Sequence, residues 1–218
     1  MNTFTSFAST IEKILNTIVR SDRLHARWLN TLSFLENCGA RKIAGCEHPT
    51  LVKEEMLKHA SEEFRHAHYL KRQIEKISTS LCDYSLPFLL GGTTTLHYLK
   101  ALDIHSSRYL KSLGFSQKTI KEYSYLLVTY AIELRAEELY PIYEKILRKA
   151  HSRIVVKSIL LEEKEHLEEM RKGLLTIPSG LTLAHQICLF ESDLCKKWLT
   201  ALETTTDSIT TGDQQNQT

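Results

Sequence analysis

Proline and glycine are scarce, four and eight in 218 residues. A fold of many short strands needs turn residues at close intervals, so this scarcity excludes it and leaves long helices. An excess of one charge is also missing. Twenty-eight Lys and Arg stand against 26 Asp and Glu, a net charge of +2, which gives no electrostatic footprint for nucleic acid or an acidic membrane. No apolar run approaches the ~20 residues that span a bilayer. No basic head followed by an apolar stretch and a small-residue cleavage site marks a secretory signal. The five cysteines, Cys38, Cys46, Cys82, Cys188 and Cys195, form no C-x-x-C pair. Their odd number and scatter argue against a disulfide framework or a structural zinc site, and fit reduced thiols in the cytoplasm. The expectation is therefore a cytoplasmic protein with neither a nucleic-acid nor a membrane partner.

What is present fits helices around one core. Hydrophobic residues make up 42% and charged residues 25%, the balance of an ordinary globular chain. A short amphipathic helix is predicted over about 5–19. Ser21 caps a helix over 22–44, with Leu24, Trp28, Leu32, Leu35 and Ile43 facing the core. Gly45 and His48-Pro49 end it, and Thr50 caps the next helix, over 50–77. Residues 78–92 read as a loop, followed by a helix over 94–113 that Gly114 ends. Ser116 caps a long helix over 117–150 with Pro141 as a kink point. Helices over 152–175 and 181–203 follow. Residues 1–204 thus form one helical domain, and the polar stretch 205–218 has nothing to bury and is expected to be disordered. The four long helices make two antiparallel hairpins, and the connection of about 40 residues between them is long enough to cross a bundle.

The chemistry lies in a repeated motif. Glu62-Glu63-Phe64-Arg65-His66 and Glu162-Glu163-Lys164-Glu165-His166 each contain Glu-x-x-His, 100 residues apart. Positions i and i+3 share a helix face, so Glu63 with His66, and Glu163 with His166, can reach one point inside a bundle. Each hairpin carries a glutamate on its first helix. Glu36 precedes Glu63 by 27 residues, and Glu137 precedes Glu163 by 26. With turns near residues 48 and 151, Glu36 and Glu63 differ by roughly 5 Å along the axis, and Glu137 and Glu163 are nearly level. Glu133 is further off, by ~9 Å, and is kept as a substitute or an additional ligand. Four carboxylates and two imidazoles suit two divalent ions: hard oxygens balance the charge, and imidazole suits iron. Without metal, four buried carboxylates would repel one another and lose their hydration.

On these residues the chain resembles the ferritin-like di-iron carboxylate superfamily over roughly 22–175. The resemblance implies an all-α, ferritin-like four-helix bundle with additional short helices. It also implies two iron ions (or manganese with iron) held by Glu36, Glu63, His66, Glu137, Glu163 and His166. In that superfamily such centres react with dioxygen or peroxide. Arylamine N-oxygenases place an extra histidine four residues before the Glu of a Glu-x-x-His. His59 has that spacing on a different helix, and reads as a seventh ligand or as a supporting or surface histidine. Glu62, Glu162, Glu165, Glu168 and Glu169 read as solvated faces. Tyr130 and Tyr140, one turn from Glu133 and Glu137, read as packing groups, as hydrogen-bond donors behind the ligands or as supports for a radical, and His25 and Trp28 read as core.

Three functions compete. One is an oxidase or oxygenase using dioxygen, an electron donor and a small organic substrate, as a monomer or homodimer; helices over 94–113 and 181–203 supply walls for a pocket. Another is an iron-handling or peroxide-scavenging protein. The third is a metal-free helical interaction module, in which the paired motifs are coincidence.

Overall fold

The computed structural model describes residues 4–48, 50–79 and 83–215. These are helical, with no strand among them: α1 (Ala8–Val19), α2 (Asp22–Cys46), α3 (Glu54–Ile74), α4 (Gly92–Ser112), α5 (Gln117–Lys149), α6 (Lys157–Leu175) and α7 (Gly180–Gln215), with a 3₁₀ turn at Leu86–Phe88. The expected all-α class holds. Pro49 and Cys82, which figured in the reading of the sequence, lie outside the described residues.

Capping places two helix starts as expected. Ser21 Oγ accepts from the Leu24 amide at 3.3 Å, and Ser116 Oγ accepts from the Thr119 amide at 3.2 Å, satisfying donors that a helix N-terminus leaves unpaired. Three boundaries differ. Thr50 caps nothing, because His48 Nδ1 accepts the amides of Thr50 and Leu51 at 3.2 and 3.0 Å and holds them in a turn. Helix α3 starts at Glu54, with two acidic residues in its first turn. Nor does Ser152 start α6. His151 turns the chain at a φ of 50°, and Ile154 and Val156 then sink into the core. Helix α7 also runs beyond residue 204, to Gln215, into the stretch expected to be disordered. Leu202 and Thr206 are buried and Ile209 packs on the main apolar cluster, while Thr and Ser hydroxyls bond carbonyls one turn back. Pro141 sits inside α5 without ending it.

Helices α2 and α3 run antiparallel. Ser33 Oγ donates to the Ala67 carbonyl at 2.6 Å, Gly39 faces Glu63, and Ile43 meets Met56 and Ala60. Helices α5 and α6 pair likewise, Leu126 lying against Gly173 at the far end. A side chain at Gly173 would collide with Leu126, its Cβ only 2.7 Å away. Arg65–Glu162 and Lys58–Glu169 ion pairs join α3 to α6. Helix α4 packs on α7, and both lie over α5. The main apolar cluster gathers α1, α2, the middle and end of α5, and α7. A second unites α4, the start of α5 and α7. The polar residues of interest are buried where α2, α3, α5 and α6 meet.

Candidate metal centre

Seven side chains converge there. His59, Glu63, Glu133 and His166 form one group, and Glu36, Glu63, His66 and Glu163 another. Within each group one ligand atom per residue lies within 4.8 Å of the others. Glu63 belongs to both. Helix period explains the convergence on α3, where His59, Glu63 and His66 are spaced 4 and 3 apart on the buried face.

Five of the six residues expected from the sequence meet here: Glu36, Glu63, His66, Glu163 and His166. Glu137 does not. Its side chain is 41% exposed, with a carboxylate oxygen 3.8 Å from the Arg171 guanidinium. Glu133 takes the α5 position instead, 3% exposed. The reason is rotation about the helix axis. Thr129, Glu133, Ala136, Tyr140, Tyr143 and Leu147 make the inward stripe of α5 at alternating steps of 4 and 3, and Glu137 falls one residue off it. His59 is the seventh member and lies within the group. It is 1% exposed, with Nε2 3.2 Å from Glu133 Oε1 and 3.5 Å from Glu63 Oε1.

Two further glutamates, expected to face solvent, belong to the site. His66 Nε2 bonds Glu162 Oε2 at 2.7 Å, and His166 Nε2 bonds Glu62 Oε2 at 2.9 Å. The first glutamate of each motif thus holds the histidine of the other. With Nε2 engaged, the buried Nδ1 atoms of His66 and His166 face the cluster, 3.1 Å from Glu163 Oε1 and 3.5 Å from Glu63 Oε1. A carboxylate behind an imidazole fixes ring and tautomer in this way at metal sites. Arg65 also pairs with Glu162. The doubled Glu-Glu was the available signal, since it appears in both motifs at the same place.

The electrostatics are those of acids crowded out of water. Burial, then the charges of Glu63 and Glu163, push Glu36 well above the carboxylate range. Burial pushes Glu133 up to about 8 and, with the Glu133 and Glu63 charges, raises Glu163 strongly. Burial also pushes Glu63 upward, but the surrounding His59, Glu36 and His66 overcome it and hold Glu63 at about 2. Burial opposes charge on His66, yet Glu163 and Glu63 raise it to about 9. His166 is lowered by burial and by His59 beside it, their ring centroids being 4.0 Å apart.

Beside the cluster is a cavity of about 80 Å³. Glu36, Glu63, Glu133 and Glu163 edge it, and Leu35, Ile132, Leu139, Tyr98 and Trp198 line the rest. Tyr140 donates its phenolic hydrogen to Glu36. Gly39 leaves room here: a Cβ would stand 3.4 Å from Glu63 Oε2.

No protein-family model, curated protein or solved structure matches this chain. The fold and site define an all-helical protein with a buried carboxylate–histidine cluster able to hold a metal ion. No helix among the described residues is long and apolar enough to cross a membrane.

Proposed function

We propose that the protein is a di-metal carboxylate oxidase or oxygenase, binding two iron ions (or manganese with iron) in a ferritin-like four-helix arrangement of α2, α3, α5 and α6. The observation that carries this reading is the pair of ligand groups sharing Glu63, because a shared carboxylate is how two cations are held side by side. The donor set fits the metals. Four carboxylates and three imidazoles form the mixed oxygen and nitrogen shell that iron and manganese accept. The orphaned atoms fit them too. His166 Nδ1 and Glu133 Oε2 are buried without a hydrogen bond, and His66 Nδ1 and Glu163 Oε1 meet only each other, 3.1 Å apart; a buried polar atom left unpaired costs about 1–3 kcal/mol. A cation between them removes that penalty and the repulsion among the acids.

Bound as ferrous ions, the metals would supply the electrons that activate dioxygen. The chain's own residues then have defined tasks. Glu63 would lie between the two ions, His59, Glu133 and His166 would hold one, and Glu36, His66 and Glu163 the other. Glu62 and Glu162 hold Nε2 of His166 and His66 and so aim the Nδ1 atoms at the cluster. Tyr140 fixes Glu36. The apolar walls exclude water from the oxidant. The cavity is smaller than the roughly 150 Å³ space that takes up benzene. It suits dioxygen and a short apolar portion of an organic substrate, a larger substrate requiring side chains to move. The apolar wall beside the cluster favours an oxygenase over an iron-storage role.

Metal analysis tests the reading. Protein loaded anaerobically with ferrous iron is expected to hold about two ions per chain, and Glu63→Gln and His66→Ala/His166→Ala to lose both. A folded wild type that stays metal-free after loading refutes the proposal.

A further inference from the structure

An unbroken file of aromatic rings leads from the cavity to the far side of the core. Tyr98 and Trp198, both in the cavity wall, stack with centroids 5.5 Å apart. Trp198 stacks on Trp28 at 6.0 Å, and Trp28 meets Tyr143 edge-on at 6.1 Å. Tyr143 ends at His25, its hydroxyl 2.6 Å from His25 Nε2. His25 in turn lines a surface hollow with Asp22, Glu75, Lys76 and His151. Four helices contribute, α4, α7, α2 and α5, and none of these rings belongs to the metal cluster.

Packing alone does not require these residue types. The Trp28 indole nitrogen is buried with no hydrogen-bond partner, a penalty that phenylalanine would avoid. Both terminal phenols have a proton acceptor in place. Tyr98 donates to Glu191 Oε1 at 2.5 Å, and Glu191 is wholly buried and clamped by both Arg135 Nε and Nη2 at 2.8 Å. Burial, outweighing Asp22, pushes His25 down to about 4, which leaves a neutral ring to accept from Tyr143. A phenol gives up an electron readily only when its proton has somewhere to go, and each end of the file provides that place.

We propose that Tyr98, Trp198, Trp28 and Tyr143 form a relay that carries single electrons from the His25 surface to the cavity. A one-electron oxidant in the cavity takes an electron from Tyr98, whose phenolic proton moves to Glu191. Trp198 reduces the tyrosyl radical, and the proton returns from Glu191 to Tyr98. Trp28 reduces Trp198. Tyr143 reduces Trp28 as its own proton passes to His25 Nε2. The sum is one electron delivered to the cavity, a neutral radical on Tyr143 and an imidazolium at His25. A one-electron reductant of the thiol or ascorbate class, acting at the hollow, restores Tyr143 while His25 returns the proton. The relay thus supplies an electron to a turnover, or drains a stray oxidant when substrate is absent. Its use rests on the oxygen chemistry proposed above, but its existence does not.

The test is flash photolysis of the full-length, metal-free protein with a soluble ruthenium polypyridyl photo-oxidant, the samples frozen for electron paramagnetic resonance. The signal that Tyr98→Phe removes belongs to Tyr98, which is buried beyond the reach of the complex. Wild type is expected to give that signal, and Trp28→Phe and Tyr143→Phe to lose it. Tyr143→Phe keeps the ring in the core and deletes only the hydroxyl, so it guards against misfolding, checked by circular dichroism. An undiminished Tyr98 signal in folded Trp28→Phe and Tyr143→Phe overturns the relay, as does a wild type with no Tyr98 signal. Because no metal takes part, a protein that binds no iron yet passes this test refutes the proposed centre and leaves the relay standing. The reverse result refutes the relay alone.

Discussion

Replacing Glu133 with glutamine is expected to make the metal-free protein more stable while destroying part of the metal site. The side chain is 3% exposed, and burial lifts its carboxyl from the ordinary 4.5 to about 8. Between those two values the folded protein holds a proton that the unfolded chain has released. Stability is therefore greatest below about pH 4.5 and is lost as pH rises through 8. One proton costs about 1.4 kcal/mol per pH unit, so the loss by pH 7 is about 3 kcal/mol. Glutamine keeps the shape and can still accept from His59, but has no proton to lose. Metal-free Glu133→Gln should then exceed wild type at pH 7 by about 3 kcal/mol, a gain of about 6–12 °C in Tm for a chain of this size. Near pH 4, where Glu133 is protonated, the two should melt together. Thermal melts followed by circular dichroism after chelator treatment, between about pH 4 and 8, measure this directly. A gap that is the same at both ends of the range, or a variant less stable at pH 7, refutes the argument that burial of this carboxyl opposes folding.

Glu62→Gln and Glu162→Gln should each weaken metal binding by roughly 10–100-fold, as loss of a carboxylate behind a ligating histidine does elsewhere. Competition with a chromophoric chelator reads this, and wild-type affinity in both variants would show that the crossed bonds do nothing for the metal. Loading near pH 7 should release protons, because Glu36, Glu133 and Glu163 are raised and His66 lies at about 9, yet all must deprotonate to ligate. Affinity should accordingly rise with pH up to about 9. A pH-stat titration with no base uptake contradicts these protonation states. Glu137→Ala should keep the wild-type metal content, whereas lost metal would return that residue to the site.

Helix identity was legible because so little else could be built with four prolines and eight glycines. The α3 and α6 parts of the site were legible because Glu-x-x-His carries its own geometry in its spacing. Glu133 was missed because the comparison along the hairpin measured height and ignored rotation. Glu137 faces outward, beside Arg171. Counting the apolar stripe through Thr129, Ala136, Tyr140 and Tyr143 would have chosen Glu133. Glu62 and Glu162 could not be found from either helix alone, since each acts on a histidine of the other. The end of α7 was missed because threonine-rich sequence reads as unstructured, although Thr206 is buried and Ile209 packs on the main apolar cluster.

In the proposed centre, the ligands on α6 decide when metal can first be captured. One ligand group draws on α3, α5 and α6, and the other on α2, α3 and α6. Both need α6. A growing chain that has emerged only through α5 offers scattered acids and imidazoles but no complete set for either ion. In the proposed centre capture must await synthesis of α6, and an ion that then binds also clasps the α2–α3 hairpin to the α5–α6 hairpin. Truncation anywhere before Glu163 removes a ligand from both groups at once.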